Sequence, residues 1–353
     1  MMASLLVLAL VMAPASALAE PLCTDTWTGP SEGTWQTTSD WSTGSVPAPS
    51  DVACIGAGKT VSVTEGTDAT GVLADEGALV ITGGSIELAS ALEASSVKEL
   101  TIEGGTLTGV ATLDVTSSLS WSSGTMSGPG STVLKPGVSA SLSTESNKFL
   151  ATRSLVNEGT LTFSQGEIWM SEGAKIRNEA VLKANSESSI GSGGSESSIV
   201  NTGTVEKTAG TGGTTIEPNF ENLGAVDAGS GHLVFAGGNV TLASSSVLEG
   251  AITMTSDTVT GGSFLAQNAA VTLPTGSSLN ISGGSTATIG SFTLSGGTVA
   301  GAGTLDVSGS FSWTRGIMSG SGTTVLASGV SGSLITKEDY FLSGERTLVN
   351  DGT

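Results

Sequence analysis

Histidine occurs once in this chain, at His232, so any acyl-transfer triad or cysteine–histidine mechanism has to run through that one imidazole. His232 stands in Gly229-Ser-Gly-His-Leu233, a run of turn residues, and reads as a solvated corner side chain rather than a base. Carboxylates are plentiful, 32 against 12 Lys+Arg, but Asp114, Asp227, Asp257 and Asp306 are scattered singly. That pattern suits outward-facing, solvated acids better than an acid–base couple, although carboxylates far apart in sequence can meet on one face and cleave a neutral glycan. Cleavage of acidic polysaccharides calls for clustered cations, and the only local basic group is Lys175, Arg177 and Lys183. A net charge of −20 repels acidic polymers and phosphate backbones alike, so no nucleic-acid partner is expected. Cys23 and Cys54 have no further Cys or His beside them to complete a metal site. No cofactor, no metal and no catalytic activity are expected; a glycan-cleaving or glycan-binding protein is the alternative.

The elements that would position such residues are short. Glycine fills 51 positions and aromatics only 4% of the chain, too few large side chains for one wide core but enough for a narrow core repeated many times. Val61-Ser-Val-Thr64, Leu79-Val-Ile-Thr82, Leu100-Thr-Ile-Glu103 and Val240-Thr-Leu242 are strands by composition and alternation. Glycine pairs such as Gly83-Gly84, Gly104-Gly105 and Gly296-Gly297 punctuate them. One turn pattern keeps time: Asn157-Glu-Gly159, Asn178-Glu-Ala180, Asn201-Thr-Gly203 and Asn222-Leu-Gly224 recur at steps of 21, 23 and 21 residues. A period near 22 fits one turn of a β-solenoid with three strands and three corners. Stacked turns would set Asn157, Asn178, Asn201 and Asn222 in a hydrogen-bonded ladder; surface hairpin turns are the plainer alternative.

A longer repeat overlies this one. The stretch from about 100 to 157 carries Thr112-Leu-Asp-Val115, Trp121, Met126, Thr132-Val-Leu134, Phe149-Leu150 and Leu155-Val-Asn157. The stretch 292 to 350 carries Thr304-Leu-Asp-Val307, Trp313, Met318, Thr324-Val-Leu326, Phe341-Leu342 and Leu348-Val-Asn350, offset by 192 and then 193 residues. Trp121 and Trp313 therefore share a structural role, and packing inside or against the rod is expected for both. Asn350-Asp-Gly-Thr353 matches the middle of the first copy. The expectation is a chain that stops part-way through its repeat, with a raw edge that self-associates end to end.

The N-terminal sixty residues differ. Residues 1–19 read as an export signal: the apolar run Leu5-Leu-Val-Leu-Ala-Leu-Val-Met12 precedes the small-residue site Ala17-Leu-Ala19. No later apolar run is long enough to span a bilayer, so the mature chain is expected to lack an integral membrane segment. In an oxidising compartment Cys23 and Cys54 pair, closing a loop worth about 3 kcal/mol; two free buried thiols are the alternative. Residues 20–60 hold Trp27, Trp35 and Trp41 and the spacing Pro47-x-x-x-Asp51-x-x-x-Ile55. This segment resembles the opening module of many secreted bacterial β-solenoid proteins, where aromatics cover the first coil; a Trp platform for sugars is the rival reading. From Cys23 to Thr353 the chain resembles autotransporter passengers and filamentous-haemagglutinin-like adhesins.

The resemblance implies an all-β, right-handed parallel β-helix over residues 61–353 with a Trp-rich, disulfide-containing cap. It implies an extracellular or cell-surface structural and adhesive protein. Its partners would be glycans or proteins on a host or neighbouring cell.

Overall fold

Alternation within four-residue strands sets the architecture. In Thr60–Val63 and Thr160–Phe163 the second and fourth side chains are buried and the first and third look outward. A four-residue strand buries only two side chains, so it gains stability only by stacking on a neighbour that does the same. The computed structural model describes residues 22–194, 196–256, 258–334 and 340–353; residues 1–19, where an export signal is expected, and Asp257 lie outside the described residues. The described chain is an all-β parallel β-solenoid of about 14 turns. At the spacing of hydrogen-bonded strands this is a rod roughly 65 Å long. The one helical element among the described residues is a single 3₁₀ turn, Thr38–Asp40. No helix among them is long and apolar enough to cross a membrane.

Each turn contributes one strand to each of three faces, here named A, B and C. Ser131–Leu134, Ser154–Asn157 and Lys175–Asn178 stack in parallel on face A. Ser139–Leu142, Thr160–Phe163 and Val181–Ala184 stack on face B. Lys148–Ala151, Ile168–Ser171 and Ile190–Ser192 stack on face C. The interior is one continuous apolar column from Trp27 to Val330. Some corners bring backbone onto backbone. Gly128 and its repeat counterpart Gly320 both hold φ near +80 to +88°, and a Cβ on either would strike the carbonyl of a glycine in the turn before, Gly109 or Gly301.

The N-terminal end is closed as its aromatic content implied. Cys23 and Cys54 form a disulfide. Trp27, Trp35 and Trp41 are buried and meet edge to face, with centroids 5.2 Å and 4.8 Å apart. Trp27 donates to the Pro30 carbonyl and Trp41 to the Trp35 carbonyl. These rings are therefore covered, and none offers a face to a sugar.

Candidate functional site

The four ladder asparagines stand at the end of successive face A strands, fully buried and in register. Each passes an amide hydrogen to the next: Asn157 Nδ2 to Asn178 Oδ1, Asn178 to Asn201 and Asn201 to Asn222, all at 2.7 Å. The second amide hydrogen goes to a backbone carbonyl of the following turn, at Val181, Thr204 or Ala225. Buried amides are thus satisfied along the stack, and their chemistry is structural. Trp121 and Trp313 point into the interior and are 0% and 3% exposed. In both copies the indole N–H finds no acceptor, as does that of Trp35.

The same ladder column holds a residue that sequence reasoning passed over. Tracing the register back from Asn157 through Leu134, Val115 and Val97 leads to Asp75, with Ile55 below it. Asp75-Glu-Gly77 repeats the Asn-Glu-Gly pattern with an acid in place of the amide. Asp75 Oδ1 accepts the Gly77 N–H at 2.6 Å, as Asn157 Oδ1 accepts that of Gly159. Its Oδ2 is buried without a partner. Burial between aliphatic neighbours pushes the carboxyl up to about 7; the Gly77 N–H opposes this and the Glu99 charge adds to it. A shallow groove of about 440 Å³ runs over this corner, bordered by Glu76, Lys98 and Thr116, and an adjoining one passes the disulfide.

Among the described residues four cations are buried, and sequence reasoning missed all of them. Arg153 donates to Thr132 Oγ1 and to the carbonyls of Gly109, Ala111, Ser127 and Ser131, tying three turns together. Desolvation lowers its guanidinium to about 10. Arg346 makes the matching set with Thr324 Oγ1 and the Gly301, Ser319 and Thr323 carbonyls. Lys148 and Lys207 likewise end on carbonyls, at Thr144 and Gln165, and at Ser186 and Ala209. Burial lowers both lysines, and the Glu187 charge partly offsets this at Lys207. The available signal was an arginine shortly before Leu-Val-Asn in both copies.

The residues that could have done chemistry are dispersed. Lys175 is exposed on face A, Arg177 pairs with Glu179 and Lys183 with Glu206, so they build no common basic site. His232 faces outward on face C over Gly213. The acids are less scattered than their spacing suggests. Glu206, Asp227 and Glu249 stack in register on face B, with Lys183 at one end and Asn268, which donates to Glu249 at 3.2 Å, at the other. Asp114 and Asp306 sit half-buried on faces A and B. Five of the six tryptophans are buried; Trp169 is half-buried on face C, away from the acid stack. Among the described residues no group of three or more His, Cys, Asp or Glu side chains could hold a metal ion.

Comparison with protein-family models, curated proteins and solved structures finds no match. The likeness to autotransporter passengers and adhesins therefore stands as one of architecture, and membership of those families is not shown.

Proposed function

We propose that this chain is an exported or cell-surface rod, a structural and adhesive scaffold without catalytic activity that displays its faces to glycans or proteins of another cell. The observation that carries this reading is the stack itself. Inward positions on all three faces are given to packing over about 14 turns, while outward positions carry mostly short polar side chains. The buried cations support it, because they bind backbone carbonyls and stitch neighbouring turns. The Cys23–Cys54 disulfide supports an oxidising compartment.

Labelling intact and lysed producing cells with an antibody to the rod tests the location, and adhesion of rod-coated beads to target cells tests the role. Surface labelling together with adhesion that scales with coating density is expected. Protein confined to the cytoplasm with both cysteines reduced would overturn the reading, as would turnover of a glycan by the purified rod.

A further inference from the structure

Trp169 is the one tryptophan that the interior does not take up. It lies on an outward position of Ile168–Ser171 on face C. Phe149, 42% exposed, is its neighbour in the turn before and Gly191 its neighbour in the turn after. The ring rests over the glycine-rich segment 191–194. A Cβ on Gly191 would sit 2.8 Å from Trp169 Cε3, and one on Gly193 would sit 3.1 Å from Nε1. Glycine therefore makes the room that lets the indole lie against the sheet. Its N–H finds no acceptor among the described residues, and the side chain is half-buried, so part of the ring meets solvent.

Carboxylates border this ledge. On one side Glu167 accepts a hydrogen bond from Ser189 Oγ at 2.9 Å, and its Oε1 would lie 2.5 Å from a Cβ on Gly191. On the other, Glu217 Oε2 accepts the Ser192 N–H at 3.1 Å. Glu217 borders a recess of about 190 Å³ beside Ser192 and Gly194. Glu145, Glu172 and Glu196 stand exposed in loops flanking the same strands. Lys148, next to Phe149 in sequence, is buried on carbonyls, and the exposed Lys175 lies on face A.

We infer that the Trp169–Phe149 ledge is a carbohydrate subsite for amino-sugar pyranoses, with the apolar face of the sugar on the indole and its ammonium against the indole face and the glutamates. A partly exposed aromatic ring offers a flat apolar surface, and a cation over indole is attracted by the ring quadrupole. The surrounding acids repel uronates and favour a cationic ligand. This inference deepens the scaffold reading, on which it rests for access to extracellular glycans. It is tested on purified protein, so its failure is distinct from a failure of surface display.

The experiment titrates the full chain with short glucosamine oligomers, their N-acetylated counterparts and oligogalacturonate. It follows calorimetry and iodide quenching, which reads chiefly Trp169 because the other indoles are buried. Glucosamine oligomers are expected to bind at least about tenfold more tightly than the other two and to shield Trp169 from iodide. Trp169→Ala should lower affinity about tenfold with an unchanged melting temperature, and Trp169→Phe should keep most of it. Glu167→Gln with Glu217→Gln should flatten the salt dependence. Gly191→Ala, which pushes on the ring, gives a second route to the same loss. Equal affinity for neutral and cationic oligomers would overturn the proposal, as would Trp169→Ala binding glucosamine oligomers like the parent.

Discussion

Residues 100–157 and 292–350 have matching landmarks but do not face the same way. From Thr112–Val115 the face A column runs through nine further rungs to 298–301. The second copy's 304–307 falls on face B, stacked on 286–289. The offset is thus nine turns and one face, and every landmark moves round the rod by one face. Trp121 lies on face B and Trp313 on face C; Met126 lies on C and Met318 on A. The inward pattern survives because the three faces offer equivalent positions. The arginine network survives whole, Arg153 between faces C and A and Arg346 between A and B. The turn survives too: Asn157 Oδ1 accepts the Gly159 N–H and Asn350 Oδ1 the Gly352 N–H, both at 3.2 Å. Local sequence makes the turn, and the next turn in the column supplies the acceptor for the Asn157 amide.

The comparison can be broken first at the indoles. Trp121→Ala and Trp313→Ala are each expected to cost about 3–5 kcal/mol in denaturant unfolding, because both indoles fill buried inward positions. Losses that differ widely would mean that faces B and C are not equivalent hosts for the indole.

Asp75 sharpens the contrast between an acid and an amide in one column. Its carboxyl is raised in the folded state, so folding retains a proton that the unfolded chain releases. The contribution is complete below about pH 4 and is lost as pH rises through about 7, on the order of 4 kcal/mol in all. Asp75→Asn places an amide where the ladder uses one, and it should raise stability at pH 8 and flatten the slope between pH 4 and 7. A slope that the substitution leaves intact would remove Asp75 as its source.

Within the ladder, Asn178→Ala leaves Asn157 without its acceptor and Asn201 without its donor, and should cost about 2–3 kcal/mol in thermal or denaturant unfolding. The smallest effect is expected on the surface. Lys183→Met breaks the 3.0 Å pair with Glu206 and should change stability by about 0–1 kcal/mol, less in high salt. A larger loss would mean that Lys183 offsets the stacked charges of Glu206, Asp227 and Glu249 as a group.

Much of the fold was legible because the solenoid is periodic. Alternation over four residues, glycine at corners and asparagine every 21 to 23 positions each report one turn, and they agree. The Trp cluster and the two cysteines announced a closed end. The chemistry was less legible. Asp75 hides because its pattern differs from the ladder's by one atom type, and Arg153 because an arginine in a polar corner looks solvated. The acid stack hides because its members are 21 and 22 positions apart. Trp169 hides because nothing in its local sequence tells an outward strand position from an inward one without the register.

The sequence by itself determined the strand length, the turn period, the duplication and the disulfide-bearing end, because each depends on residues close together or on a repeat that can be counted. Tertiary structure alone decided which face each landmark occupies, which cations lie beneath carbonyls and which acids share a column. Those depend on the exact number of residues in every intervening turn. One face is about seven residues, so small differences in corner length accumulate over nine turns until the second copy looks out from a different side of the rod.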